Sequence, residues 1–134
     1  MKFTKNFNII TYNVKGIRER VKRNKIFKYI KEKLKDGIAF FQETHSIEND
    51  LAIWRNEWDG EIFINHGTSN SKGVMIGISR DLEYNVLKYD CDEEGRIQIL
   101  SIIYKDTKFL LINIYNENTE PKQVSLFMNL MLKL

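Results

Sequence analysis

The apolar run Ile38-Ala39-Phe40-Phe41 ends in an amide, a carboxylate and an imidazole: Gln42, Glu43 and His45. Strand side chains alternate faces, so Glu43 and His45 would point the same way if the extended conformation continued through them. Two other segments end in polar groups. FNII runs through Thr11 into Tyr12 and Asn13, and FLLI runs into a stretch from Asn113 through Tyr115 to Asn118. Ligand sites in open α/β sheets gather at such strand ends. A carboxylate, an amide and a phenol brought together there can hold a hard cation and orient an oxyanion, and one or two carboxylates with waters and phosphate oxygens are the usual way to bind Mg²⁺. Each residue also has a plainer reading. Glu43 can be a surface glutamate, Asn13 an amide closing a turn before Gly16, His45 a loop bystander and Tyr115 an edge aromatic with its hydroxyl in water.

The elements that must position these groups follow from periodicity. Residues 7–13, FNIITYN, read as a strand rich in β-branched and aromatic residues, broken by Gly16. From Arg18 to Lys35 the apolar positions Val21, Ile26, Ile30 and Leu34 recur near helical spacing among many lysines, which predicts an amphipathic helix with a basic outer face. Asp36 and Gly37 stop it, and GIAFFQE resumes as a buried strand. IENDLAIWRNEW predicts a short helix capped by Asn49 or Asp50. Then EIFINH, GVMIGIS, YNVLKY, RIQILSIIY and KFLLINIY follow as strands, separated by turn-prone GTSNSKG, SRDLE, CDEEG and KDT. Their spacing predicts antiparallel hairpins after a β-helix-β opening. Pro121 suits the first turn of a last helix whose expected apolar face is Val124, Phe127, Met131 and Leu134.

Composition narrows the class. The chain has 134 residues, one domain's worth, with 43% apolar and 29% charged residues, which is ordinary for a globular protein and excludes disordered and collagen-like classes. No apolar run approaches the ~20 residues that span a bilayer, and the charged MKFTKNFNII does not read as a signal peptide. The expectation is an intracellular protein, nuclear or cytoplasmic, neither secreted nor membrane-bound. Cys91 is alone, so no intrachain disulfide forms, and one cysteine with two histidines leaves no soft-ligand zinc cluster. Any metal would be held by oxygen. The net charge of +3 is unevenly spread: residues 1–35 hold twelve Lys or Arg against Glu19 and Glu32, and the remainder is acidic. Such a basic segment suits a polyanion such as nucleic acid, or is a solvated helix face.

ITYNVKGI, FFQETH and LINIYNENT, in this order and spacing, resemble the endonuclease/exonuclease/phosphatase superfamily. Within it they look most like the endonuclease domain of LINE-type, non-LTR retrotransposon polyproteins. The matching pieces are Asn13 with Gly16 (N-x-x-G), Gln42 to His45 (Q-E-T-H), Gly73 to Ile76 (G-V-x-I), Gly95-Arg96 opening a strand, and Asn113 with Tyr115 and Asn118 (N-x-Y-x-P-N). The order of all five is specific where each piece alone is not.

The resemblance implies an α/β (α+β) layered sandwich of two mixed β-sheets flanked by helices. It implies metal-dependent hydrolysis of DNA phosphodiesters with Mg²⁺ or Mn²⁺, Glu43 as the metal-binding glutamate and Asn13 supporting the metal and phosphate. Tyr115 would contact the scissile phosphate, Asn118 would lie in the neighbouring loop, and His45, Lys15, Arg18 and Arg96 would face nucleic acid. Two residues depart from the pattern. Lys15 stands where repair endonucleases carry an aspartate, as in the retrotransposon branch, and Glu117 replaces the proline of N-x-Y-x-P-N. The superfamily's G-D-F-N strand and late Asp-His pair have no counterpart here. The expectation is therefore the N-terminal portion of such a domain, weakly active or inactive by itself, with the rest of a polyprotein or self-association through exposed sheet edges as partner. A non-catalytic nucleic-acid-binding fragment and a phosphatase-branch member are the competing readings.

Overall fold

A computed structural model describes residues 7–117 and 119–134. In chain order the elements are β1 (Asn8–Asn13), α1 (Arg20–Leu34), β2 (Gly37–Gln42), a 3-10 turn (Glu48–Asp50), α2 (Leu51–Glu57), β3 (Gly60–Asn65), β4 (Val74–Ser79), β5 (Asn85–Cys91), β6 (Ile97–Tyr104), β7 (Thr107–Ile114) and α3 (Glu120–Lys133). Two sheets form. The first is mixed, in the order β1-β2-β4-β3, with β1 parallel to β2 and the other pairs antiparallel. The second, β5-β6-β7, is an antiparallel meander rather than the expected mixed sheet, because its turns are too short for a crossover.

Alternation along the strands builds three apolar layers. Ile38 and Phe40 of β2 with Ile76 and Ile78 of β4 meet Leu100, Ile102 and Leu111 of the second sheet. The opposite faces, Ala39, Phe41 and Met75, pack against Phe27, Ile30 and Leu34 of α1 and Trp54 of α2. On the far side of the second sheet, Ile97 and Ile99 of β6 receive Leu126 of α3. The order of layers is helix, sheet, sheet, helix, which is the expected sandwich.

Two expected helix faces are corrected, and of the two candidate caps ahead of α2 the structure takes Asp50. Helix α1 turns Arg23, Phe27, Ile30 and Leu34 inward while Val21 is 58% exposed. The Arg23 guanidinium can be buried because it meets Glu57 at 2.8 Å and the carbonyls of Ile17 and Arg18 at 3.2 and 2.7 Å. The cap ahead of α2 is set by Asp50, which reaches back to accept the Ile47 N–H at 2.9 Å, with Asn49 exposed. In α3 the inner face is Leu126 and Leu130, whereas Val124, Phe127, Met131 and Leu134 are all at least half exposed. Among the described residues, no helix is long and apolar enough to cross a membrane.

Candidate functional site

The register of parallel β1 and β2 pairs Asn13 with Gln42, so both strands end together. The chain beyond β1 then follows the chain beyond β2: the N–H groups of Val14, Gly16 and Ile17 donate to the carbonyls of Gln42, Glu43 and Thr44 at 2.9, 2.6 and 3.1 Å. Asn13 closes its turn by accepting the Lys15 N–H at 3.1 Å. The extended conformation stops at Gln42, contrary to expectation. Glu43 and His45 take left-handed backbone conformations with φ of 56° and 57°. For residues with a Cβ each costs about 1–3 kcal/mol, which surrounding contacts must offset. Those contacts come from the neighbouring loop, where the Gly73 and Lys72 carbonyls accept the N–H groups of Thr44 and His45 at 3.0 and 2.9 Å.

These strand ends and the end of β7 enclose a cavity of about 350 Å³ lined by Asn13, Lys15, Gln42, Glu43, Tyr115 and Asn116. Tyr115 and Glu43 face the same cavity from opposite sheets. Partial burial, the neighbouring Glu43 carboxylate and the charge of Glu117 push the phenol up to about 12, so Tyr115 is a neutral donor at physiological pH. A larger cavity of about 440 Å³ lies at the other end of the first sheet, beside Lys31, Asp59 and Arg80. Its charges satisfy one another, with Asp59 meeting Lys31 at 2.7 Å and Arg80 at 2.6 Å. The residues singled out in the sequence, Asn13, Lys15, Glu43 and Tyr115, line the smaller one.

A chain of buried amides sets the Gln42 side chain. Its Nε2 donates to Thr11 Oγ1 and to Asn113 Oδ1, both at 2.9 Å. Asn113, 2% exposed, directs its Nδ2 to the carbonyls of Phe41 and Met75 and to Gln98 Oε1, each at 3.1 Å. Gln98 in turn donates to the Phe63 carbonyl at 2.8 Å and the Tyr89 hydroxyl at 2.9 Å. This ladder ties the two sheets together directly beneath the cavity. Asn113 was legible as a polar residue closing an apolar strand, but its partner Gln98 carried no signal, being one polar residue in a strand.

The remaining predicted residues fall in several places. Lys15 lines the cavity. His45 is half-buried with its ring over Gly16, where a Cβ would stand 2.5 Å from Nδ1, so only glycine with its φ of 82° admits the imidazole there. Arg18 is drawn to Asp50 at 2.9 Å. Arg96 is turned inward, 5% exposed among Asp92, Glu94 and Glu117 rather than presented to a ligand. Asn118 lies outside the described residues.

Among the described residues no three His, Cys, Asp or Glu side chains converge as a metal cluster. Beside the Lys15 cation the cavity offers oxygens: the Glu43 carboxylate, the amide oxygens of Asn13, Gln42 and Asn116 and the Tyr115 phenol. That set fits part of the shell of a hard cation which keeps waters and takes substrate oxygens, as Mg²⁺ does.

The architecture is one shared with solved structures of known proteins. The AP endonuclease LMAP of Leishmania major superimposes with a TM-score of 0.72 at 20% identity, over 93% of this chain and 46% of that one. Truncated TDP2 of Caenorhabditis elegans gives 0.65 at 24% identity, over 92% and 53%. D. rerio TDP2 complexed with single strand DNA product gives 0.64 at 14% identity, over 93% and 52%. In sequence the chain is similar to a transposon protein, the TX1 uncharacterized 149 kDa protein of Xenopus laevis, with 28% identity over 123 residues. That alignment covers 92% of this chain and 9% of the relative. No protein-family model matches. The chain thus spans about half the length of the solved structures it matches and a small part of its transposon relative.

Proposed function

We propose that this chain contributes the Glu43 side of a metal-dependent DNA endonuclease site, as the N-terminal portion of such a domain in a retroelement polyprotein. The observation that carries the reading is the meeting of Glu43 and Tyr115 from different sheets across one cavity, over a buried amide ladder. The likeness to a transposon protein, and to a structure complexed with single strand DNA product, supports DNA as substrate.

Glu43 and Asn13 would hold Mg²⁺ or Mn²⁺, which when bound polarises a phosphoryl oxygen and stabilises charge on the leaving oxygen. Tyr115 keeps its proton and can offer it to a phosphate oxygen. Asn13 has amide hydrogens to offer the same group, and Lys15 brings positive charge to the mouth of the cavity. Glu43 is held where it is by its left-handed backbone, so the site is built before ligand arrives.

The test is plasmid nicking by this chain and by Glu43→Gln in Mg²⁺ and in Mn²⁺, paired with Mn²⁺ binding followed by electron paramagnetic resonance. Glu43→Gln should weaken Mn²⁺ binding at least roughly tenfold, as loss of a charged ligand does, and abolish any nicking. Mn²⁺ binding indifferent to Glu43 would overturn the reading. A second reading draws on α1, whose Lys22, Lys25, Lys28 and Lys33 are exposed: a segment that holds DNA without cutting it. Salt-dependent DNA binding indifferent to both metal and Glu43→Gln would favour that reading. The β1 edge, almost wholly exposed, is where self-association through a sheet edge would form.

A further inference from the structure

Glu117 lies between Tyr115 and α3, and its side chain is 13% exposed. It faces three cations from three separate places. Lys122 in the first turn of α3 approaches at 2.9 Å, Lys72 before β4 at 3.8 Å and Arg96 before β6 at 3.8 Å. Arg96 also fixes the backbone of the same loop, its carbonyl accepting the Tyr115 N–H at 2.8 Å. Its guanidinium, 6% exposed, touches Glu94 at 2.5 Å and the Lys122 carbonyl at 3.4 Å. Behind it Asp92 is anchored through Oδ1 by the N–H groups of Arg96 and Ile97, both at 3.0 Å, and by Asn65 at 2.8 Å. The Arg96 Nε and Asp92 Oδ2 atoms are buried without a hydrogen-bond partner, 3.8 Å apart.

An isolated surface ion pair fixes little, because two mobile chains must be ordered to form it. Here the carboxylate belongs to the loop and the cations to three elements, one of them a buried arginine, so the ordering of the partners is already supplied by the fold. Lys122 beside Glu117, with Lys72 and Arg96, holds its carboxyl below the usual glutamate range, so it stays ionised at neutral pH.

We propose that Glu117 is a positioning residue: its ionic anchoring to Lys122, Lys72 and Arg96 fixes the loop that carries Tyr115, and so keeps the phenol in the cavity beside Glu43. The catalytic consequence rests on the nuclease reading above, whereas the positioning itself does not. The test compares the full chain with Glu117→Gln and Glu117→Asp by amide hydrogen exchange at Tyr115 and by the nuclear magnetic resonance shift of its hydroxyl-bearing carbon. Glu117→Gln should speed exchange at Tyr115 at least roughly tenfold, the factor for losing one charge-assisted hydrogen bond, while Leu100 at the centre of β6 is unaffected. Glu117→Asp should recover part of the protection. In nicking assays kcat should fall without a rise in KM, since removing a negative charge does not weaken DNA binding.

If Glu117→Gln fails to fold, Lys122→Met at an exposed position carries the same comparison. Unchanged exchange and carbon shift at Tyr115 in a folded variant would overturn the proposal. Loosening at Tyr115 with no nicking by any chain would uphold the positioning and sink only the nuclease reading.

Discussion

Tyr115, just past β7 in one sheet, and Glu43, just past β2 in the other, line one cavity together. Burial raises the phenol most, and the neighbouring Glu43 carboxylate raises it further. Glu43→Gln should therefore lower the Tyr115 pKa from about 12 part of the way toward 10, leaving the contribution of burial. Titration of the tyrosine hydroxyl-carbon resonance reads this directly. An unmoved Tyr115 would mean the two side chains do not meet in solution.

The amide ladder makes a second prediction. Asn113→Leu keeps the approximate volume but leaves the Phe41 and Met75 carbonyls, Gln98 Oε1 and one Gln42 hydrogen bond without their partner. Each unsatisfied buried group costs about 1–3 kcal/mol, so on the order of 3 kcal/mol of stability should be lost, several times the net contribution of one hydrogen bond. Urea unfolding measures it. A loss under about 1 kcal/mol would show that the ladder adapts and does not set Gln42.

The strands were legible because their apolar residues alternate or run continuously between turn formers, and the hairpins β3-β4, β5-β6 and β6-β7 matched expectation, whereas the short turn after β4 leads into the other sheet and β4 pairs instead with β2. Helix faces were less so. Val21 is apolar but stands in the first turn of α1 pointing away from the sheet, while Arg23 goes inward because Glu57, distant in sequence, receives it. In α3 nearly every row is apolar, so periodicity cannot choose between the row of Leu126 and Leu130 and the row of Val124, Phe127 and Met131. At the site, residue types pointed to Glu43, Asn13 and Tyr115, yet the left-handed turns at Glu43 and His45 have no local signal in non-glycine residues. They are imposed by the carbonyls of Lys72 and Gly73 from another hairpin. Arg96 was expected to face nucleic acid, and its burial was not legible because it depends on Asp92 and Glu117, which only the fold brings to it.

His66 makes a pH prediction. Burial pushes its imidazole below the usual 6.5, against the opposing pull of Asp50 and Glu48, and its Nδ1 lies 3.0 Å from Ser46 Oγ. With a folded pKa below the unfolded one, the unfolded chain takes up the proton first. Stability is then full above about pH 6.5 and declines as pH falls through the folded value. His66→Asn should flatten this decline in denaturant midpoints between pH 7.5 and 5.5. Glu117, whose depressed pKa loses its stabilisation only below about 4.5, does not overlap this window. A slope unchanged by His66→Asn would assign the decline to another group.

The two faces of α3 can be told apart by paired substitutions. Leu126 is fully buried against Ile97 and Ile99, so Leu126→Ala should cost about 2–5 kcal/mol. Phe127, the next residue, is half exposed, and Phe127→Ser should change stability by no more than about 0.5 kcal/mol. The comparison is informative because the sequence reading places Phe127, not Leu126, on the inward face. Equal large losses would mean that both faces are covered in solution. In that case the loss at Phe127 should depend on protein concentration if a second copy covers it, since only association makes stability a function of concentration.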